Sequence, residues 1–154
     1  MSKNKQNIIL LERLLNQSRH DKLMYLNAAD KQDLPTFKRF FNQQALYRNN
    51  MFNDFNQILS NNGINIEDVL LKRPLLRQLM MTTPKRERLN PFINCLKADE
   101  IFKNSLEELI LIEPEEELIT LYHKHLDKIN LCIEANQLYS IEVTAKQFTA
   151  TDLL

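Results

Sequence analysis

The chain has 154 residues, enough for one domain with a sizeable core. Hydrophobic residues make up 44% of it, which excludes a disordered chain. Lys+Arg and Asp+Glu number 20 each, so the positive excess of nucleic-acid and membrane-surface binders is missing and neither partner is expected.

There is one glycine and no tryptophan. Sheet folds need turn glycines, so this composition favours helices joined by few tight turns. The start, MSKNKQNIILLERLL, lacks a long apolar run and a small-residue cleavage site, so no signal peptide is expected. No window approaches ~18 consecutive apolar residues, so no membrane span is expected. Cys95 and Cys132 stand far apart, which is neither a disulfide framework nor a zinc signature. The expected setting is reducing and cytoplasmic.

In chain order, Ile8, Leu11, Leu15, Ser18, Lys22, Tyr25 and Ala29 recur at steps of three and four, and Leu14, Leu26 and Ala28 widen the stripe. This predicts a first helix over about 5–30. ADKQDLP breaks it, because the residue before Pro35 is pushed out of helical geometry. A second helix starts near Pro35 with the stripe Phe37, Phe40/Phe41, Gln44, Arg48, Met51/Phe52, Phe55, Ile58/Leu59. It ends at SNNGI, where Gly63 suits a left-handed cap and Ile64 covers the last turn. The short link between the two helices makes them antiparallel neighbours.

Residues 64–90 form a long connection. NIEDVLL reads as a short helix capped by Asn65, and RPLLRQLMM as a second apolar piece split off by Pro74. The segment is too hydrophobic for a free linker and is expected to pack along the helices. A third helix opens at Asn90 and Pro91 with the stripe Phe92, Cys95, Asp99, Phe102, Leu106, Leu109. A fourth opens at EPEEEL, where glutamates favour the positive end of the dipole. Its stripe is Leu118, Leu121/Tyr122, His125, Ile129, Cys132/Ile133, Asn136. SIEVTAKQFTATDLL is rich in β-branched residues, so 140–154 is expected to be an extended tail behind a domain of residues 1–139.

The fold expectation is all-α: four helices of ~24 residues, paired by short turns, with a long helical crossover between the second and third. This is the up-down-down-up, ferritin-like bundle. HDKLMYLNAAD, FKRFFNQQALYRNNMFNDFNQIL, RPLLRQLM and NCLKADEIFKNSLEELI together resemble the small bacterial ferritin-like four-helix-bundle domain family of unknown function. The family's Asp, Tyr and Ala pair match Asp21, Tyr25, Ala28 and Ala29. Its second-helix Arg and aromatics match Arg48, Phe52 and Phe55, and its acidic turn matches residues 94–100. The resemblance covers roughly residues 8–135. Leu96 stands where the family often has a glutamate, and the end of the fourth helix has no clear match. The resemblance implies a ferritin-like fold, a bacterial source and an association with stress or storage, with no established reaction.

A di-iron bundle needs Glu-x-x-His on two helices, because residues three apart share a face and reach one metal. The positions three before His20, His123 and His125 are Gln17, Thr120 and Tyr122, so the motif is missing. If the crossover returns the chain to the end where the second helix began, Asp21, Gln44 and Asp99 lie at one level, with Ser18 and Arg48 a turn on. Ile129 sits there on the fourth helix, with His125 a turn away. A polar core layer follows: Asp21 and Asp99 neutralised by Arg48, helped by Tyr25, Gln44 and His125. The competing reading is a mononuclear metal held by the carboxylates. His20 and His123 are expected to be solvated. Cys95 and Cys132 are read as small apolar core residues, the alternative being a redox pair.

Residues 72–88 are basic and 107–117 acidic, which reads as two solvated faces or as contacts between copies. No phosphate loop or nucleophile constellation stands out, so no cofactor, catalytic residue or bound metal is expected. Three functions compete. The first is a non-enzymatic ferritin-like bundle acting as a structural or interaction protein, stress-linked and able to form a homodimer. The second is a metal-dependent oxidase or storage protein with an atypical carboxylate site. The third is a ligand- or partner-binding module that uses the apolar crossover. The chemistry of a small-molecule ligand stays open, and the balance leans away from an enzyme.

Overall fold

The computed structural model describes residues 5–70 and 90–152, with side chains through residue 145. The expected packing of RPLLRQLMM and the basic run at 72–88 fall outside the described residues. Among the described residues there are five helices: α1 (Lys5–Asp30), α2 (Pro35–Asn61), α3 (Ile66–Leu70), α4 (Pro91–Ile112) and α5 (Glu116–Asp152). Among the described residues there is no strand, and no helix is long and apolar enough to cross a membrane.

The helix ends follow their local chemistry. Leu34 is extended (φ −77°, ψ 124°) ahead of Pro35 at the first turn of α2. At the other end Gly63 takes φ 78°. Its N–H donates to the Ser60 carbonyl and that of Ile64 to the Leu59 carbonyl, each at 3.0 Å. This is the Schellman closure that a residue without Cβ permits most readily. The Asn65 side chain accepts from the Glu67 N–H at 3.0 Å and so caps α3. The Asn90 side chain accepts from the Phe92 N–H at 3.1 Å and caps α4, with Pro91 just behind it. Between α4 and α5 the Glu113 carboxylate accepts from the Tyr122 hydroxyl at 3.0 Å, which ties the turn to the next helix.

Each long helix packs against two others: α1 against α2 and α4, and α5 against α4 and α2, while α3 rests on α1 and α2. The apolar stripes face inward and build two clusters. One joins Leu11, Leu14 and Leu15 of α1 to Phe55, Phe102, Leu106, Tyr122 and Ile129, and Val69 of α3 closes it from outside. The other joins Tyr25, Ala28 and Ala29 to Phe37, Phe41, Phe92, Cys95 and Cys132. In it the Phe41 and Phe92 rings stack at 4.8 Å, and Phe37 meets Phe92 edge-on at 4.9 Å. Leu26, expected in the buried stripe of α1, is exposed instead.

The expected extended tail is corrected by the structure, because α5 runs unbroken from Glu116 to Asp152. Neither glycine nor proline follows Pro114 to stop it, and β-branched residues cost a helix only a few tenths of a kcal/mol each. Tertiary contacts more than offset that. Tyr139 and Val143 pack on the second cluster. The Asn90 amide donates to the Ser140 carbonyl at 3.2 Å and to the Ser140 and Thr144 hydroxyls at 3.3 Å. The helix therefore crosses residues 139 and 140 without a boundary.

Asn90 thus acts through two groups, its oxygen capping α4 and its nitrogen holding α5. Asn90→Ala should cost roughly 1–2 kcal/mol in urea unfolding, and Asn90→Asp, which keeps the cap alone, should recover part of it. Equal losses for both variants would show that the cap contributes nothing.

Candidate functional site

Between the two apolar clusters lies a charged layer to which all four long helices contribute. Asp21, Tyr25, Arg48 and Asp99 each show 0% exposure. Arg48 on α2 reaches in both directions. Its Nε stands 3.5 Å from Asp21 Oδ2 on α1, and its Nη2 donates to Asp99 Oδ1 on α4. The guanidinium lies 4.9 Å from the Phe102 ring centroid and 5.6 Å from that of Tyr25, so aromatic faces stand where water would otherwise be.

The other carboxylate oxygen of Asp99 collects three donors. The Tyr25 hydroxyl donates at 2.7 Å, the Asn136 amide at 2.8 Å and the Cys132 thiol at 3.2 Å. The Asn136 amide also donates to the Tyr25 oxygen at 3.0 Å. On the other side, Asp21 Oδ1 accepts from Gln17 Nε2, one helical turn earlier, at 2.8 Å. Such pairing is what lets charged groups persist in a core.

Burial by itself pulls Arg48 down, but Asp99, Tyr25 and Asp21 outweigh it and hold the guanidinium above its ordinary value. Burial lifts Asp99 above the usual carboxylate range, against the pull of Arg48 and of the Tyr25 and Cys132 hydrogen bonds. The geometry speaks for the ion all the same, since every group around its two oxygens donates. Burial, then Asp99, pushes Tyr25, Cys95 and Cys132 up, so the phenol and both thiols keep their protons. A protonated buried thiol is no nucleophile. The two cysteines are free thiols.

The expected layer is assembled in its main parts and corrected in others. Asp21, Tyr25, Arg48 and Asp99 meet. Gln44 is buried, but it bonds to none of them, and its Oε1 has no partner among the described residues. His125 lies elsewhere, with Nε2 2.9 Å from Asp54 Oδ2 on α2 and its ring 5.8 Å from Phe55. It stands seven residues before Cys132, about 10 Å along α5, too far for the layer. His20 is not solvated. Its side chain is 14% exposed and its Nδ1 stands 3.1 Å from Asp21 Oδ1. Sequence reasoning placed Cys132 and Asn136 inward on α5 but gave them no part in the layer. An asparagine on an otherwise apolar stripe was the available signal, since a buried amide needs partners.

Among the described residues no group of three or more His, Cys, Asp or Glu side chains is arranged to hold a metal ion. The surface hollows beside Ser140, Ile141, Thr144 and Ala145, and beside Glu117, Thr120, Leu121, His123, Lys124 and Asp127, contain no member of the layer. No family model matches the chain, and no match to it is found among curated proteins or solved structures.

Arg48→Ala leaves two carboxylates without their cation and should cost on the order of 3–5 kcal/mol in urea unfolding. A loss below about 1 kcal/mol would contradict the layer. Replacing all three together by Asp21→Leu, Arg48→Met and Asp99→Leu should bring the stability back to near that of the native chain.

A pH effect follows from His125. Burial lowers it below its ordinary 6.5, against the pull of Asp54, and Lys128 and Lys124 add to the lowering. The folded chain then binds a proton less readily than the unfolded chain. The stabilisation is complete above 6.5 and is lost as pH falls through the lowered folded-state value. Unfolding measured between about pH 7.5 and about pH 5 should show this slope, and His125→Gln should flatten it.

Proposed function

We propose that this protein is a non-catalytic, ferritin-like helical bundle, acting as a structural or interaction protein, in which an arginine takes the place of the metal. One observation carries the reading: the Arg48 guanidinium between Asp21 and Asp99, with the remaining donors turned toward Asp99. In di-iron bundles, carboxylates on facing helices point inward toward cations. Here the cation is part of the chain.

Two features support the ferritin-like topology. Phe37 near the start of α2 meets Phe92 near the start of α4, so these two helices set out from one end. Ala28 and Ala29 near the end of α1 and Tyr139 late in α5 pack into the same cluster. That arrangement fits α1 and α5 running one way and α2 and α4 the other. The resemblance to the bacterial family extends the proposal to a stress-linked role, and two free thiols suit a reducing compartment such as the cytoplasm.

Elemental analysis of the purified protein, before and after incubation with ferrous iron or manganese, tests the reading. It expects far less than one metal per chain. Stoichiometric iron or manganese would overturn it in favour of an oxidase or storage protein with a carboxylate site.

A further inference from the structure

We propose that a buried water site joins Gln44 of α2 to Asn136 of α5 and closes the charged layer into a ring. The site stands whether or not the bundle is ferritin-like. Both side chains are buried, and Gln44 Oε1 and Asn136 Oδ1 are acceptors with no donor among the described residues. Native cores give almost every such atom a partner, from the protein or from ordered water. The orientation of Asn136 is fixed, because its Nδ2 donates to Asp99 Oδ2 at 2.8 Å and to the Tyr25 oxygen at 3.0 Å. Turning that amide over would set its oxygen against a carboxylate, so Oδ1 points away from Asp99.

The two oxygens belong to one stretch of the seam between α2 and α5. Side chains cross that seam at several heights. His125 Nε2 stands 2.9 Å from Asp54 Oδ2, Lys128 Nζ lies 4.5 Å from the Tyr47 ring centroid, and the Phe40 and Tyr139 rings are 5.2 Å apart. Numbers fall along α2 as they rise along α5, so the two helices run antiparallel. Phe40, Gln44 and Tyr47 follow at steps of four and three and share the face of α2 that meets α5. Lys128, Cys132, Asn136 and Tyr139 share the opposing face of α5 in the same way. The Tyr47–Lys128 and Phe40–Tyr139 contacts therefore bracket both amides, within about 10 Å of helix on α2. A helical side chain leans toward the N-terminus of its own helix. Gln44 thus leans toward the Phe40 end of the bracket and Asn136 leans away from it, so the two side chains converge.

The occupant follows from the count of donors. Two acceptors facing each other call for a molecule that brings two donors, and water is the smallest. Two neutral amide oxygens are too few for a metal ion, which takes about six oxygen ligands. The bridge also completes the layer. Arg48 ties α2 to α1 and α4, and Asp99 ties α4 to α5 through Asn136. Water between Asn136 and Gln44 returns the connection from α5 to α2, nearly as well as a direct bond would. Gln44 then belongs to the layer, one turn from Arg48.

A crystal structure of the native chain, at a resolution that shows ordered water, tests the site. The expected result is one water within about 3.2 Å of both oxygens. In solution, magnetic relaxation dispersion of solvent deuterons counts long-lived internal waters. Gln44→Leu, which removes the acceptor at similar size, should lose one of them relative to the native chain. Gln43→Leu, at the exposed neighbour bonded to Tyr47, should lose none. A Gln44 amide turned over to donate directly to Asn136 Oδ1 would overturn the proposal. So would separate waters on the two oxygens, a cation at the site, no ordered density between them, or equal counts in the native chain and Gln44→Leu. The crystal result rests on the native chain alone, so it decides the matter even if Gln44→Leu does not fold. Iron and manganese analysis does not read this water, so the two proposals fail separately.

Discussion

Arg48 carries its charge at 0% exposure, and a guanidinium in such a place requires anions within reach. Asp21 and Asp99 supply them from α1 and α4. Leucines and phenylalanines along a helix can exchange places by a turn at modest cost, but a charge cannot move a turn away from its counter-charge. The Arg48 contacts therefore set the axial register of α1, α2 and α4 together. Tyr25, Cys132 and Asn136 then bring α5 to the same level through the second oxygen of Asp99. The apolar clusters on either side supply most of the burial, and the layer decides which turns face each other.

The same burial makes the layer chemically quiet. A phenol beside a carboxylate and two thiols within one cluster resemble the parts of a reactive site. Yet low polarity and the Asp99 charge raise Tyr25, Cys95 and Cys132, so none gives up its proton readily. Asp99 is already engaged at both oxygens, by Arg48 at Oδ1 and by Tyr25, Asn136 and Cys132 at Oδ2. His20, beside Asp21 and only 14% exposed, is the layer's nearest approach to the surface. The arrangement ties the four long helices together at one height.

Helix positions were legible because each rests on neighbours in the chain. Pro35, Gly63, Asn90 and Pro91 act through their own backbone geometry, and α1, α2 and α4 begin and end where those residues require. The members Asp21, Tyr25, Arg48 and Asp99 were legible because charged or polar residues stood on apolar stripes, where they need each other. His125 was misplaced because counting residues from helix ends left its height uncertain, and six residues along α2, nearly two turns, separate Arg48 from Asp54, its actual neighbour. The helical state of residues 140–152 was hidden because β-branched residues weigh against helix locally, while Asn90, fifty residues earlier, supplies the bonds that hold it.

By itself, then, the sequence determined the all-helical class, the helix ends marked by Pro35, Gly63, Asn90 and Pro91, and the need for an internal ion pair, since all three follow from local backbone preference and from the cost of burying charge. Only the tertiary structure decided which groups complete the pair. The union of Asp99 with Tyr25, Cys132 and Asn136 joins residues 74, 33 and 37 positions apart, and no local periodicity carries that information. Distance across a packed core is set by the crossing of helices, and that crossing is settled by all the side chains at once.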